Sequence, residues 1–113
     1  MLNQIVLVGR LAKELEIKED EKGKKVCNVL LAVPRSYKNE EGIYETDFIE
    51  CILYGAIAEN TIKYCNKGDI IGVKGRMESN RVEQNDGTFK YEMQVIAEKI
   101  TFLSSRSQDA DTE

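Results

Sequence analysis

The sequence predicts a small all-β domain with one short helix, in which five strands form a barrel with Greek-key connections. Three observations lead to this prediction. Five stretches either alternate between apolar and polar residues or are rich in β-branched residues. One stretch, between the third and fourth of these, has apolar residues at helical spacing. Turn signals separate the extended stretches, and 113 residues suit one domain with a single core.

The first predicted strand, residues 2–12, is apolar on both faces. Its apolar side chains alternate between the faces, with Ile5, Leu7 and Leu11 on one and Val6 and Val8 on the other. A strand that is buried on two sides needs a second covering surface. In a domain of this size that surface is either another subunit or a loop of the same domain. We expect self-association through this strand.

The second predicted strand runs from Val26 to Val33, after a turn at residues 21–24. Pro34 cannot donate a hydrogen bond to a ladder, so it marks an edge, a bulge or the end of regular pairing. Strict alternation would keep Arg35 and Tyr37 on the core face, whereas a bulge would turn them outward. We expect the bulge, because bulges commonly redirect side chains near functional sites.

The third predicted strand, residues 47–54, follows a polar hairpin loop and has one aromatic face. By alternation, the side chains of Ile49, Cys51 and Leu53 are predicted to point into the core. The opposite face displays Phe48, Glu50, Ile52 and Tyr54. A surface with two aromatic rings beside a carboxylate is too apolar for bare solvent and too charged for a core. It is typical of a surface that meets a partner.

A single helix of about three turns is predicted over residues 56–66. Ala58, Ile62 and Cys65 recur there at helical spacing. Gly68 is placed to cap the end of this helix.

Two further strands complete the prediction. The fourth, residues 70–77, directs Lys74 and Arg76 outward, and these form the clearest pair of cations on any predicted strand. Residues 85–87, Asn-Asp-Gly, predict a tight turn before the last strand, residues 89–103. This order of five strands with a helix after the third fits the OB-fold, a small Greek-key barrel that binds oligonucleotides or oligosaccharides across one face.

The composition argues against catalysis and metal binding. The chain has no histidine, and its three cysteines, Cys27, Cys51 and Cys65, are widely spaced in apolar stretches. We expect them to be reduced thiols that pack as small hydrophobic residues. Without histidine, a Cys-x-x-Cys pair or a glycine-rich phosphate loop, the usual metal sites, nucleophile and base pairs and cofactor sites are missing. We therefore expect no enzyme activity, no metal and no cofactor.

No apolar run approaches the ~20 residues of a membrane span, and the N-terminal residues lack the pattern of a signal peptide. These observations predict a cytoplasmic protein. The formal net charge of −4 is unusual for a partner of polyanions. However, many of the acidic residues are concentrated in residues 14–21 and after Ser104, and basic residues slightly outnumber acidic ones elsewhere. A local basic groove therefore remains compatible with the composition.

Several short segments form a recognisable series. They are residues 1–11, Leu31–Tyr37, Asp47–Ile49 with Cys51, Ala58–Asn60, Lys67-Gly68, and Gly72-Val73 followed by Gly75-Arg76. In this order and spacing they resemble the bacterial single-stranded DNA-binding protein family over about residues 1–103. The resemblance implies an OB-fold that binds single-stranded DNA largely without sequence preference and protects it during replication, recombination, repair or DNA uptake. It also implies a homotetramer, a dimer of dimers joined along the first strand.

The resemblance assigns base stacking to Tyr37, Phe48 and Tyr54. A fourth stacking position of the family is Val82 here, and the tryptophans that often serve in the family are absent. Smaller rings and one missing platform imply a weaker or more selective binder. The expected phosphate contacts are Arg10, Arg35, Lys38, Lys74, Arg76 and Arg81.

Residues 104–113 are expected to form a short flexible acidic tail after the domain of residues 1–103. Replicative family members end in a longer tail with an acidic peptide tipped by Pro-Phe, which is absent from this sequence. The resemblance therefore implies a short accessory or phage-type member, in which tail-mediated recruitment of proteins is not expected. Two alternatives stay open: a dimeric primosomal-type OB-fold adaptor in replication restart, and an RNA-binding OB-fold.

Overall fold

The computed structural model describes residues 1–105, which form six β-strands and one α-helix. The elements are β1 (Ile5–Leu11), β2 (Ile17–Glu19), β3 (Lys25–Lys38), β4 (Tyr44–Tyr54), α1 (Gly55–Tyr64), β5 (Ile70–Glu83) and β6 (Phe89–Ser104). The five predicted strands are present as β1, β3, β4, β5 and β6. The short strand β2 was not predicted. The expected tail lies outside the described residues from residue 106 onward.

The five long strands close into a barrel. The order in the sheet is β1-β5-β6-β4-β3-β2, and β1 also pairs with β3, which joins the two ends of the five-stranded part. Only β4 and β6 run parallel to each other, while the other pairings among residues 1–105 are antiparallel. A closed five-stranded barrel with one helix between its third and fourth long strands confirms the predicted OB-fold.

The barrel interior is filled by the side chains that alternation assigned to it. Every long strand contributes at least one buried apolar residue, namely Leu11, Leu31, Leu53, Ile71 and Val95. Burying an aliphatic side chain of this size stabilises the fold by ~1.5–3 kcal/mol. The core is therefore shared by all five strands, and each strand has a face that must turn away from it.

The three cysteines are free and buried, as predicted. Burial raises the pKa of all three thiols, and that of Cys51 rises to about 11. At neutral pH a thiol of this kind is protonated and behaves as a small hydrophobic group.

The helix ends two residues earlier than predicted. Cys65 follows its last residue with an extended backbone and donates its N–H to the carbonyl oxygen of Thr61 at 2.9 Å. The predicted capping role of Gly68 is wrong, because Gly68 lies in the next turn, with φ of 96°, and donates its N–H to the carbonyl oxygen of Leu11.

Among residues 1–105 no helix has the length and apolar character needed to cross a membrane.

The bulge predicted near Pro34 is present in β3. Pro34 lies opposite Thr46 and Lys38 lies opposite Tyr44, so β3 uses more residues than β4 to cover the same distance. The extra residues leave the ladder locally unpaired. The part of β3 that carries Tyr37 is therefore not held by regular pairing with β4.

The predicted aromatic face of β4 is only partly exposed. Phe48 and Tyr54 face solvent, but Ile52 is only 8% exposed. Its ladder neighbours are Asn28 of β3 and Ile96 of β6. The face therefore has a buried aliphatic side chain, Ile52, between two exposed rings, rather than four exposed side chains.

The outer face of β1 is uncovered within residues 1–105. Val6 is 67% exposed and Val8 52%, so a loop of the described domain does not cover them. In addition, β1 pairs with β3 only at Arg10 and Leu11, whereas it pairs with β5 over most of its length. The first half of β1 therefore has a ladder neighbour on one side only, and its other edge is open.

We predict that Gly75→Ala destabilises the fold by about 1–3 kcal/mol, because the added methyl group would overpack a backbone contact. Gly75 lies at a register shift between β5 and β6, and a Cβ there would overlap the carbonyl oxygen of Ile96. Gly72→Ala, on the same strand, is the matched control, since its Cβ would meet neighbours at an ordinary 3.8 Å. Urea unfolding measures both, and equal stability of the two variants would contradict the prediction.

Candidate nucleic-acid interface

The three predicted stacking rings are all exposed on two neighbouring strands. Tyr37 lies on β3, while Phe48 and Tyr54 lie on the same face of β4. Phe48 is opposite Ala32, whose small side chain leaves the ring uncovered. Six residues along a strand separate the two β4 rings by roughly 20 Å. This distance leaves room for several nucleotides between them.

Tyr54 is positioned by the junction of β4 and α1. It is the N-cap residue of α1 with an extended backbone, and its side chain makes no capping hydrogen bond. The Nζ atom of Lys24 lies 4.7 Å from the centre of its ring, which is a cation–π distance. The sequence analysis missed Lys24. The signal that points to it is the pairing of Val26 with Tyr54, which brings the start of β3 beside this ring.

Two of the predicted cations also lie over aromatic rings. The Nζ atom of Lys38 is 5.6 Å from the centre of the Tyr44 ring, and the Arg81 guanidinium is 3.7 Å from that of Phe89. Both rings are exposed, and neither was predicted. Lys38 and Tyr44 are cross-strand partners. Each pair combines a positive charge with a flat apolar surface, which is the combination that a nucleotide requires.

Arg35 is engaged by two carboxylates. Its guanidinium donates to Asp47 at 2.8 to 3.1 Å and to Glu45 at 2.9 Å. The ion pair raises the pKa of Arg35 and lowers that of Asp47. By alternation, Glu45 and Asp47 lie on the side of β4 opposite Phe48. The bulge in β3 therefore does not bring the Arg35 guanidinium to the face of Phe48, contrary to the expectation from the sequence.

The remaining predicted cations differ in their surroundings. Arg76 is paired with Glu78 at 2.6 Å and with Glu98 at 3.3 Å. Lys74 is exposed on β5, opposite Lys99 of β6 and Val6 of β1. It therefore lies on the uncovered sheet face that includes β1.

Arg10 and Val82 complete the predicted set. Arg10 donates from Nη1 to the carbonyl oxygen of Gly68 at 2.6 Å, which holds its side chain against the turn before β5. Val82, which the resemblance predicts at a fourth stacking position, is 37% exposed on β5 opposite Lys90 and has an aliphatic side chain. Among residues 1–105 no cluster of cysteine, aspartate and glutamate is placed to hold a metal ion.

The sequence matches the Single-strand binding protein family over residues 2–103. The chain belongs to this family. It is 38% identical over 109 residues to single-stranded DNA-binding protein B of Bacillus subtilis, and the match covers 96% of each chain. It is 40% identical over 110 residues to single-stranded DNA-binding protein 3 of Listeria innocua, covering 97% of this chain and 69% of that one.

A third relative, single-stranded DNA-binding protein 3 of Streptococcus agalactiae, is 37% identical over 112 residues, covering 99% of this chain and 81% of that protein. These matches confirm the family resemblance seen in the sequence. The family match spans the whole barrel, including the strands that carry the exposed rings. The family is named for binding single strands.

We predict that Arg35→Gln raises the pKa of the Asp47 carboxyl toward its ordinary value of about 3.9, because it removes the cation that lowers this pKa. A carboxyl with a lowered folded-state pKa contributes stability above its ordinary pKa and loses it as pH falls through the folded pKa. Carbon-13 NMR titration of the side-chain carboxyls measures the shift.

Asp86 is the matched control for this titration. Its pKa is also lowered, but by hydrogen bonds from Thr88 in the β5–β6 turn. It should titrate identically in the wild-type protein and in the Arg35→Gln variant. An Asp47 carboxyl whose titration is unchanged by Arg35→Gln would show that the ion pair does not form in solution.

Proposed function

We propose that this protein binds single-stranded DNA largely without sequence preference, by stacking bases on Tyr37, Phe48 and Tyr54 while basic side chains contact the phosphates. The observation that carries the proposal is a row of exposed rings on the outside of an OB-fold barrel, in a chain of the Single-strand binding protein family. Its role is to cover DNA strands exposed during replication, recombination, repair or uptake. The proposed place of action is therefore the cytoplasm.

The phosphate contacts come from the cations around these rings. The proposed set is Arg10, Arg35, Lys38, Lys74, Arg76 and Arg81, to which the position of Lys24 over Tyr54 adds a seventh. Lys24 lies at Tyr54, so a phosphate that reaches it stays close to a base stacked on that ring, whereas Lys38 and Arg81 lie at Tyr44 and Phe89, outside the proposed stacking set. Arg35 and Arg76 are each shared with two carboxylates, so they provide less net attraction.

The proposed assembly is a homotetramer, a dimer of dimers joined along β1. Two observations support it: the open edge of the first half of β1 and the exposed valines on its outer face. Lys74 lies opposite Val6 on the same face. A subunit interface that extends over this face would cover Lys74. Subunit association and phosphate contact by Lys74 are therefore competing roles of this face.

We predict that Phe48→Ala weakens binding to a fluorescently labelled oligo(dT) about fivefold to 150-fold, because stacking contributes ~1–3 kcal/mol per base. Tyr64→Ala is the matched control, since Tyr64 is an equally exposed ring on α1, 65% against 63% for Phe48. Fluorescence anisotropy measures both affinities.

Equal losses in the two variants would contradict the proposed site. Absence of binding by the wild-type protein at low salt would contradict the proposed function itself. Competition with oligo(U) and with duplex DNA tests the nucleic-acid preference, and single-stranded DNA is expected to be the strongest competitor.

We predict that Val8→Lys lowers the mass of the assembly, because it places a charge on the proposed subunit interface. Ile43→Lys is the control, since Ile43 is a similarly exposed apolar residue in the β3–β4 loop, away from β1. Light scattering coupled to size-exclusion chromatography gives both masses. A Val8→Lys protein with the wild-type mass would exclude β1 as the main interface.

A further inference from the structure

We infer that Arg35 is a positioning residue, whose guanidinium ties β3 to β4 from behind the stacking face and so fixes Tyr37 relative to Phe48. The inference rests on the proposed function and revises one part of it. The sequence pattern grouped Arg35 with the cations that contact phosphate, whereas its surroundings describe a cross-strand brace.

The guanidinium makes four hydrogen bonds to carboxylate oxygens. Nε donates to both oxygens of Asp47 at 3.1 Å, Nη2 donates to Oδ1 of Asp47 at 2.8 Å, and Nη1 donates to Oε2 of Glu45 at 2.9 Å. All three of its nitrogens are therefore used. Two carboxylates face one guanidinium, so the cluster carries a net negative charge and repels a phosphate.

The Arg35–Asp47 pair lies on the side of β4 away from Phe48. The register of β4 against β3 is regular from Tyr54 to Thr46, so the alternation of its side chains is uninterrupted. Asp47 lies within this stretch on the side occupied by the buried Cys51, whereas Phe48 is on the other side. Glu45 lies just beyond the stretch and binds the same guanidinium. DNA that stacks on Phe48 is therefore on the opposite face of β4 from the Arg35 guanidinium.

Tyr37 needs such a brace because of the bulge. Between Pro34 and Lys38 the regular pairing of β3 with β4 is interrupted, so the ladder does not set the position of Tyr37. Arg35 and Asn39 flank Tyr37 in the chain, and both bind Glu45: Arg35 at Oε2, and Asn39 through Nδ2 at Oε1, 3.0 Å away. Side-chain bonds on both sides of Tyr37 thus replace the missing ladder bonds.

The brace is exposed and has a local role. The side chain of Arg35 is 36% exposed, and those of its two partners are more exposed still. Ion pairs of this kind contribute little to global stability. Their loss should leave the barrel folded and loosen only the bulged end of β3.

The test compares Arg35→Gln, Asp47→Asn and the double variant with the wild-type protein, in binding to labelled oligo(dT) at several salt concentrations. Each single variant should bind about fivefold more weakly, the lower end of the effect of losing one stacked base. The double variant should bind no more weakly than Arg35→Gln, because both substitutions break the same brace. The dependence of affinity on salt should keep its slope, and the melting temperature should change little, because exposed ion pairs contribute little to global stability.

Lys25→Gln is the matched control, since Lys25 is also a cation of β3 and the substitution removes its 2.7 Å ion pair with Glu19 of β2. It should change neither the affinity nor the slope. NMR relaxation of the DNA-free proteins provides a readout that does not depend on binding. Motion at Tyr37 should increase in Arg35→Gln and remain as in the wild type in Lys25→Gln.

Two results would overturn the inference. If Arg35 contacts phosphate, Arg35→Gln lowers the salt slope by about 0.7, and Asp47→Asn strengthens binding because it frees the guanidinium. If Arg35 has no role, all variants bind like a wild-type protein that itself binds DNA. A wild-type protein without DNA binding contradicts the proposed function, and this inference with it, whereas the relaxation result still reports whether the brace holds Tyr37.

Discussion

The close approach of β1 to β3 closes the barrel, and the rest of the structure depends on it. Gly9 makes this approach possible, because a Cβ there would lie 2.6 Å from the carbonyl oxygen of Ala32 and 2.9 Å from the Leu31 side chain. Once β1 joins β3 to β5, every long strand has one face in a closed interior. The side chains of the other face must then point outward. The stacking surface is thus the outer face of a strand whose inner face is the core.

The strand β4 shows how one pattern serves both purposes. Cys51 and Leu53 are completely buried, and the rings of Phe48 and Tyr54 alternate with them on the outside. Between the two rings, Ile52 is buried at a position where β4 has ladder neighbours on both β3 and β6. The two rings are therefore attached to a strand that packs against the core, and not to a loop. A rigid platform loses little conformational freedom when bases stack on it, which favours binding.

Alternation and turn chemistry predicted most of this fold, and the errors share one physical cause. The strands, the core residues and the Gly87 turn follow from local patterns, and each is present. Cys65 has helical spacing but lies beyond the helix, and Ile52 has outward parity but is buried, because tertiary neighbours decide both. Lys24 and the carboxylate partners of Arg35 depend on the register between strands, which a single sequence does not reveal. Local pattern therefore located the rings, whereas the surroundings of each cation required the structure.

The distribution of charge explains how an acidic chain can serve a polyanionic partner. Arg35 and Arg76 are each offset by two carboxylates, whereas Lys24, Lys38 and Arg81 lie over aromatic rings. Of these three rings only Tyr54 belongs to the proposed stacking set, so Lys24 is the cation placed beside an expected stacking site, and many of the acidic residues are concentrated in residues 14–21 and after Ser104. Counterion release scales with the number of neutralised phosphates, whereas stacking does not depend on it. The rings and the bonds that hold them are therefore expected to contribute to binding even though the net charge of the chain is negative.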